Sequence, residues 1–519
     1  MPITPRSGAQ LVPISLVTPG FNGLNKQNEA TILGVTWATE ANNCAFDGSG
    51  RLCARNGWAT QTSSPISGTP TITGIFEQIK LDGTTQIILS ASNHKLYLGV
   101  STPTDITGTA TVTADDWQFV NYNGKVYGVQ QGMTPIVYDG STSFANLTAA
   151  TGTLPTGNCA LAFSGRLWIS DSNKQSIKYS ALLDATKWAT ADGAGSFDFT
   201  SVWPNGSDEI VALATFNKAL VVFGKNSIIL LTDGNASAKG IDPNTMYVYD
   251  MVNSVGCIAR DSVSEVEGTD LLFLSKVGVQ SLQKLVITKS NPLFNISGNN
   301  RDYMVSIITN ETSIRIKGKY SPYNSMYVLS CPGSGLAFYF NTKNKLDDGT
   351  YPMTTWDTMI PYAMCAAQNG TFYISLAAVG GQVGAYTGYL DNGAVINMSY
   401  ASGWIDLGQD VAQYLKILKT LTATVFTTAA INISLKWDID FSGNFKSVSV
   451  ATGDSTSSEW GIMEWGTDEW SGGLALTKVG ISTTGTGQYF RVGISAAINN
   501  SQFAMQQMNM FTKIGRLAK

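Results

Sequence analysis

The chain has 519 residues, enough for two to four domains at roughly 100 to 200 residues per domain. Glycine is frequent, with 52 residues, and only 13% of the residues are charged, so the composition favours short strands and turns over long helices. The formal net charge of −4 argues against a protein that binds nucleic acid through a basic surface. The sequence contains no run of about 18 apolar residues, so no membrane-spanning helix is predicted.

The cysteines and the first residues narrow the class of protein further. The six cysteines are scattered and form no C-x-x-C pair, which argues against a zinc site or a disulfide framework and predicts buried thiols. The start, MPITPRSGAQ, lacks the charged and apolar regions of a secretory signal, so we expect synthesis in a cytoplasm. A cytoplasmic protein with so much β-forming sequence is unusual for a metabolic enzyme and common among viral structural proteins.

The sequence patterns divide the chain into three parts. Residues 1–70 predict the strands of an N-terminal platform, residues 71–395 a β-propeller, and residues 396–519 a C-terminal β domain that the N-terminal strands complete. The expected fold is therefore all-β: a β-propeller of six or seven blades together with a platform or sandwich built from both ends of the chain.

In the N-terminal part, residues 47–50 (DGSG) predict a hairpin turn, because aspartate and glycine accept the backbone angles of such turns. On the strand that follows, Leu52 and Ala54 are expected to face the core, while Arg51 and Arg55 share the other face with a cysteine. We expect Arg51 and Arg55 to pair with acidic groups, either within the platform or on a neighbouring molecule. A solvated strand face is the alternative.

The middle of the chain repeats one pattern, in which an apolar strand runs into a turn and a second apolar strand leaves it. The turn positions step by 41 to 56 residues, close to the roughly 40 to 50 residues that a four-stranded propeller blade needs. A β-sandwich with evenly spaced hairpins is the alternative. The predicted turns lie at Gly83, Gly124, Gly165, Asn217, Gly268, Asn324 and Gly370.

In the C-terminal part, apolar and polar residues alternate in a different pattern. Residues 431–439 place isoleucine, leucine and tryptophan at strict period two, which predicts a half-buried strand. A second strand is predicted to carry five side chains on one side: Phe503, Met505, Gln507, Asn509 and Phe511.

Between these strands, residues 459–473 (EWGIMEWGTDEWSGG) hold Trp460, Trp465 and Trp470 five residues apart. This spacing fits neither a helix nor a strand, so a loop with aromatic anchors is expected. Such a loop suggests a contact surface. The alternative, that the three indole rings pack back onto the sheet, is equally compatible with the sequence.

A search for catalytic chemistry finds little. The single histidine, His94, lies beside an alternating strand, where a structural surface role is expected, and no nucleophile elbow, HExxH, phosphate-binding loop or dinucleotide fingerprint occurs. No metal or cofactor is predicted. Pairs of carboxylates, which a glycosidase could use, lie mostly in polar turns. These are Asp115 and Asp116, Asp347 and Asp348, Asp438 and Asp440, and Asp468 and Glu469.

The two ends of the chain carry a resemblance. The segment PGFNGLNKQNEATILG (19–34), then FDGSGRLCARNGW (46–58), a propeller-like middle and a C-terminal strand set ending in FTKIGRLAK together resemble the tail nozzle proteins of short-tailed bacteriophages, the tail tubular protein B or phage stabilisation family. The elements P-G-x-N-G-L-N and G-R-L-x-x-R-x-G-W are the most specific.

The resemblance implies a structural protein of the virion tail, synthesised in the host bacterial cytoplasm and built from a platform, a propeller and a nozzle tip. It implies a homo-hexameric tube below the portal and the tail adaptor ring, through which double-stranded DNA passes without sequence-specific contacts. It implies no cofactor and no enzyme activity. Arg51 and Arg55 are then expected at contacts between subunits or with the adaptor, and the aromatic loop at contacts with tail fibres or tailspikes.

The main alternative is a carbohydrate-binding or carbohydrate-cleaving propeller, a lectin or a glycosidase. Exposed aromatic side chains stack on sugar faces, and the three tryptophans of the 459–473 loop are suitable for that role. Glycan binding or turnover by the isolated protein would favour this alternative.

Overall fold

The computed structural model describes residues 11–17, 20–113, 116–233, 243–288, 295–406, 413–452 and 475–517. The chain forms two compact units. The terminal unit comprises Met1–Ala59, Phe338–Thr358 and Thr387–Lys519, and the propeller unit comprises Thr60–Ala337 and Met359–Tyr386. The sequence predicts boundaries at 70/71 and 395/396, and the units divide at 59/60, 337/338, 358/359 and 386/387.

The first strands of the chain are short. They are β1 (Leu11–Val17), β2 (Gly23–Leu24), β3 (Trp37–Asn42), β4 (Cys44–Phe46), β5 (Leu52–Ala54) and β6 (Trp58–Thr60).

The propeller unit follows with strands of two to eight residues. Its first two sheets are formed by β7 (Ile72–Ile79), β8 (Thr85–Ala91), β9 (Lys95–Leu98), β10 (Thr104–Asp105), and by β11 (Gln118–Tyr122), β12 (Lys125–Val129), β13 (Ile136–Tyr138), β14 (Ala145–Asn146). The next two are β15 (Ala160–Phe163), β16 (Arg166–Ser170), β17 (Ser176–Tyr179), β18 (Gly195–Asp198), and β19 (Ile210–Phe216), β20 (Ala219–Gly224), β21 (Ser227–Asp233), β22 (Met246–Asn253). The fifth is β23 (Ser264–Val266), β24 (Asp270–Ser275), β25 (Gly278–Ser281).

The rest of the chain alternates between the units. It contains β26 (Lys317–Ser321), β27 (Met326–Cys331), β28 (Leu336–Asn341), β29 (Met353–Trp356), β30 (Pro361–Ala366), β31 (Phe372–Leu376), β32 (Gly384–Tyr386), β33 (Ile396–Ser402), β34 (Tyr414–Thr427), β35 (Asn432–Ile439), β36 (Lys446–Ala451), β37 (Ala475–Ser482), β38 (Thr486–Gly487), β39 (Phe490–Ile498) and β40 (Phe503–Leu517). The α-helices are α1 (Leu282–Thr288) and α2 (Arg301–Ile308), and short 3-10 turns include Arg260–Ser262 and Ser313–Arg315.

The all-β prediction is confirmed, and the described residues form six small sheets arranged as a six-bladed β-propeller. Each predicted hairpin is present: the turns at Gly83, Gly124, Gly165, Asn217, Gly268 and Gly370 each join the first two strands of a small sheet. The hairpin predicted at Asn324 joins β26 to β27, and β26 contacts strands of both the fifth and the sixth sheet.

Apolar side chains from neighbouring sheets hold the blades together. Between the first two sheets, Ile88 and Leu96 pack with Trp117 and Val126, and similar clusters join the following sheets in turn. A further cluster joins the sixth sheet to the first. Because each blade is covered on both faces, its central strands are apolar without alternation, as in β20, where every residue is buried.

The propeller unit also closes by hydrogen bonds between its two ends. The Gln61 backbone N–H donates to the Val383 carbonyl at 2.8 Å, and the Val383 N–H donates to the Thr62 hydroxyl at 3.0 Å. The first residues of the unit are thereby attached beside the last strands of the sixth sheet.

The terminal unit confirms the predicted platform of N- and C-terminal segments. In one sheet the order is β37-β34-β40-β5-β4, with β1 also paired to β40. Within this unit, the other sheet runs β28-β29-β2-β3-β33-β39-β35-β36. An aromatic cluster joins the two sheets, because Phe46 of the first stacks on Phe21 and Tyr339, and Tyr339 stacks on Trp356 of the second.

One bulge changes which side of β40 is buried. Thr424 of β34 pairs with Gln507 while Val425 pairs with Met505, so Gln506 is an extra residue on β40. Before the bulge Phe503 and Met505 are buried, and after it the buried side chains are Met508, Met510 and Thr512. The prediction that Gln507, Asn509 and Phe511 continue the side of Phe503 was therefore wrong, because alternation alone does not show an inserted residue.

The bulge is testable by mutation. We expect Met508→Ala to lower the free energy of unfolding by about 2–5 kcal/mol, because it leaves a cavity in the core. Gln507→Ala, a change at the neighbouring half-buried position, is the control and should cost about 1 kcal/mol through lost hydrogen bonds to Ser15 and Asn509. Urea unfolding measures both, and equal losses would contradict the assigned faces.

Candidate functional site

Arg55 is the most heavily bonded of the residues singled out by sequence. Its side chain is fully buried, and its two terminal nitrogens donate to the Asp391 carboxylate at 2.8 and 2.5 Å. The same guanidinium donates to the Thr358 hydroxyl at 2.6 Å, the Asn56 carbonyl at 2.9 Å and the Asn43 side-chain oxygen at 3.3 Å. A bidentate arginine–carboxylate pair of this kind is strong and directional.

The residues after Arg55 bind the same part of the chain. The Gly57 N–H donates to the Gly388 carbonyl at 2.8 Å, and the Trp58 N–H donates to the Leu390 carbonyl at 3.1 Å. A Cβ on Gly57 would lie 2.0 Å from that Leu390 oxygen, so only glycine fits here. Trp58 is buried, with 1% of its surface exposed. The G-W pair of the motif therefore fastens residues 388–390 to the N-terminal segment.

Arg51 has a different environment. Residues 47–50 form the predicted turn between β4 and β5, in which Asp47 accepts hydrogen bonds from the Ser49 and Arg51 backbone N–H groups, both at 2.9 Å. The Arg51 side chain forms an ion pair with Asp47 at 2.6 Å and lies over the Phe426 ring at 4.2 Å. It is 17% exposed.

Both arginines thus contact carboxylates of their own chain, within the terminal unit. Strand β5 is buried throughout, with Leu52, Cys53 and Ala54 all covered, so the face that carries the arginines is not a solvated one. Changing Arg55 to alanine would leave the Asp391 carboxylate without its buried guanidinium partner, so Arg55 contributes to folding of this unit. Whether either arginine contributes to assembly stays a prediction.

The other candidates are placed as follows. Trp460, Trp465 and Trp470, Asp468 with Glu469, and Asp115 lie outside the described residues. His94 is exposed in the turn between β8 and β9, with a backbone φ of 60°.

The described carboxylate pairs of the terminal unit act as acceptors in turns. Asp348 accepts from the Thr350 N–H and hydroxyl at 2.8 and 2.6 Å. Asp438 accepts from the Ile439 N–H at 2.7 Å and the Ser442 hydroxyl at 2.5 Å. Asp440 accepts from two backbone N–H groups of residues 488 and 489. Asp348 and Asp438 therefore stabilise local turns, whereas Asp440 attaches residues 488 and 489 to the end of β35.

Sequence reasoning missed a cluster of charges in the propeller unit. Arg260 donates to Asp116 at 2.7 Å and to Asp261 at 2.8 Å, and Lys317 contacts Asp261 and lies 4.0 Å from Asp116. Arg260 also donates to the Asn158 carbonyl at 3.0 Å. All four charged side chains are at least three-quarters buried, with exposed fractions of 6 to 22%.

The two carboxylates of this cluster differ electrostatically. Burial raises the pKa of Asp116, and the attraction of Arg260 only partly offsets it. Burial alone would also raise the pKa of Asp261, but the charges of Arg260 and Lys317 outweigh it and hold the pKa of Asp261 well below its usual range. Asp261 is therefore the firmly ionised partner of Arg260.

The cluster borders two cavities that share Thr73 and Lys317. The larger, of about 410 Å³, is lined by Asp116 and Lys317 together with residues of β7 and β30. The smaller, of about 210 Å³, is lined by Arg260 and Asp261. The first strands of several sheets thus line two neighbouring cavities.

No sequence signal could have indicated this cluster. Asp116, Arg260 and Lys317 come from three separate parts of the repeat, and Arg260–Ser262 is a short turn without periodicity. Asp116 was considered only as half of an adjacent carboxylate pair. The contact depends on how the blades close.

Within the described part of the chain, no three His, Cys, Asp or Glu side chains form a group that could hold a metal ion. In the same residues, no helix has the length and hydrophobicity to cross a membrane. The six cysteines are buried free thiols, and burial raises the pKa of Cys159 to about 12 and that of Cys365 to about 11.

Comparison with known proteins identifies no family. No protein-family model matches the sequence, and no curated protein is significantly similar to it. Similar solved structures include the extracellular domain of a hybrid two-component system from B. thetaiotaomicron, with 11% identity over 66% of this chain and 41% of that one, and a TM-score of 0.35. Others are an exo-β-1,3-galactanase from Phanerochaete chrysosporium with galactose (10% identity, 78% and 98% covered, TM-score 0.27) and Kluyveromyces lactis Hsv2 (13%, 52% and 81%, TM-score 0.30).

This chain spans less than half of the first of these structures. Likenesses at such identities and TM-scores carry no argument about function.

We expect Arg55→Ala to destabilise the terminal unit by about 3–5 kcal/mol, because it removes a fully buried guanidinium and leaves the largely covered Asp391 carboxylate, 17% exposed, without a cation. Arg51→Ala should cost about 1 kcal/mol, since its ion pair is partly exposed. Urea unfolding of the full chain measures both. As a control, the double variant Arg55→Ala/Asp391→Ala should cost less than the two single changes added, and strict additivity would contradict a direct interaction.

In the charge cluster, we expect Asp261→Asn to lower the free energy of unfolding by about 3–5 kcal/mol and Asp116→Asn to cost clearly less. Because the folded-state pKa of Asp261 lies below the unfolded value of about 3.9, its stabilisation is complete above that pH and is lost as the pH falls. Urea unfolding from pH 7 to pH 3 should show a steeper loss for the wild type than for Asp261→Asn. Parallel curves would contradict the assignment.

Proposed function

We propose that this protein is a structural component of a bacteriophage tail, a tail nozzle subunit that forms a ring-shaped conduit for DNA ejection below the portal and the tail adaptor. The observation that carries the proposal is the way the chain is divided. Both chain ends form one β unit, and a propeller lies between them in the sequence. This is the combination of platform and propeller that the sequence resemblance implies.

The motif that carries the resemblance has a physical role consistent with this proposal. Residues 51–58 connect the N-terminal segment to residues 388–391 within the terminal unit. These residues lie beside the points at which the chain leaves the terminal unit, after Ala59, and returns to it at Thr387. A platform that is interrupted by a large propeller needs such fastening, because its strands come from distant parts of the sequence.

The charge of the chain also fits a conduit. Each lysine or arginine that neutralises a phosphate strengthens binding to DNA, so a channel that releases its cargo is expected to expose few of them. A net charge of −4, in which 37 acidic residues outnumber 33 lysines and arginines, is consistent with that requirement. In a closed homo-hexamer each contact is repeated around the symmetry axis, so a modest interface between neighbours is sufficient. Under this proposal the protein has no enzyme activity and no cofactor.

Solution mass and negative-stain images test the proposal, on the protein alone and after addition of the cognate adaptor ring. We expect six-fold rings with an open channel in at least one of these samples. A monomer in both samples would overturn the proposal that the protein forms a conduit.

The role of Arg51 in assembly is tested on the same samples. We expect Arg51→Ala to weaken ring formation, while Lys446→Ala, which removes an exposed cation of the same unit, should not. If both variants assemble equally well, Arg51 is not part of the interface, and the proposal that the protein forms a conduit is unaffected.

A carbohydrate-binding or carbohydrate-cleaving propeller is the second candidate function. The observation that favours it is the polar cavity of about 410 Å³ in the propeller unit, which has the size of a small-molecule site. Binding to a glycan array, or turnover of a glycan by the monomeric protein, would favour this function over the conduit.

A further inference from the structure

The larger cavity of the propeller unit is built from segments that the closure of the blades brings together. Thr71 and Thr73 come from the start of β7 and Lys317 from β26, while Tyr362 belongs to β30. Ser92 follows β8, and Arg315 ends the 3-10 turn Ser313–Arg315. Its volume of about 410 Å³ lies within the range of roughly 300–1,000 Å³ found for small-molecule sites.

The walls of the two neighbouring cavities are positively charged. Their charged lining consists of four cations, Arg260, Arg315, Lys317 and Lys319, and two carboxylates, Asp116 and Asp261, which leaves a surplus of two positive charges. The chain as a whole has a net charge of −4, so the charge of this lining is opposite in sign to that of the whole protein. A partly enclosed site of one sign concentrates ligands of the opposite sign.

Arg315 is the cation of the larger cavity that is not engaged by a carboxylate; Lys319, which is also without an ion pair among the described residues, lines only the smaller cavity. Arg260 and Lys317 are engaged with Asp116 and Asp261. Among the described residues, Arg315 forms no ion pair. Its backbone is held in place, because its N–H donates to the Thr312 carbonyl at 2.9 Å and the next residue, Ile316, is 1% exposed.

Hydroxyl groups and one aromatic ring complete the lining. The Ser92 hydroxyl oxygen accepts the Thr71 backbone N–H at 3.0 Å, which leaves the hydroxyl hydrogen for another acceptor. Thr71 and Thr73 add two more hydroxyls, of which that of Thr73 already donates to the Ser90 carbonyl at 3.3 Å and serves the ligand as an acceptor, and the half-buried Tyr362 adds a ring. A ligand for this space should carry an anionic group, several hydroxyls and an apolar face.

We propose that this cavity binds an acidic monosaccharide unit, such as a uronic acid. Its carboxylate pairs with the Arg315 guanidinium, whose geometry matches a carboxylate. Its hydroxyls bond with Thr71, Thr73 and Ser92, and the C–H face of the sugar ring packs against Tyr362. The site belongs to the propeller unit alone and holds whether or not the protein forms a ring.

Isothermal titration calorimetry of the full chain tests the proposal with three probes: sodium glucuronate, glucose and inorganic phosphate. We expect glucuronate to bind, and glucose, which lacks the carboxylate, to bind at least tenfold more weakly. Arg315→Gln should weaken glucuronate binding at least tenfold. Its matched control is Lys125→Gln, which removes an exposed cation of the same unit that lines neither cavity and should leave the affinity unchanged.

Four outcomes would overturn the proposal. They are no binding of glucuronate, equal binding of glucose and glucuronate, equal losses in Arg315→Gln and Lys125→Gln, and binding of phosphate without binding of glucuronate. The last would identify a site for a simple anion. Because Arg315 is exposed in a surface turn, its substitution should leave unfolding unchanged, which urea unfolding of the same variant checks.

Discussion

The buried ion pair between Arg55 and Asp391 is the constraint on which the terminal unit depends. A guanidinium removed from water is tolerated only when its charge and its N–H groups are satisfied, and Arg55 reaches partners in three segments of the chain, near residues 43, 358 and 391. The segments near residues 358 and 391 adjoin points where the chain passes between the two units. One side chain therefore holds together segments that 336 residues of sequence separate.

The propeller unit is stabilised in another way. Its blades share apolar clusters that repeat from sheet to sheet, and the last cluster joins the sixth sheet to the first. The same closure brings Asp116, Arg260 and Lys317 together in a polar space where water is partly excluded. Charges in such a place are stable only as a network, because each partner offsets the desolvation of the others.

The proposed conduit and the proposed acidic-sugar site make different demands on the molecule. A DNA conduit needs a surface that does not retain phosphates, and the net negative charge of the chain is consistent with such a surface. A sugar-acid site needs the opposite sign in a small, enclosed place, which the lining of the propeller cavities provides. The two are compatible, since a tail structure that meets a cell surface also meets its acidic glycans.

The sequence by itself determined the elements that local chemistry controls: the all-β class, the hairpin turns at glycine and asparagine, and the DGSG turn before Arg51, because turn residues and apolar runs act over a few neighbours. It also indicated that the two chain ends form one unit. The tertiary structure alone decided the bulge at Gln506, the buried partners of Arg55 and the charge cluster at Arg260. These depend on strand register and blade closure, which bring distant residues into contact and leave no periodic trace in the sequence.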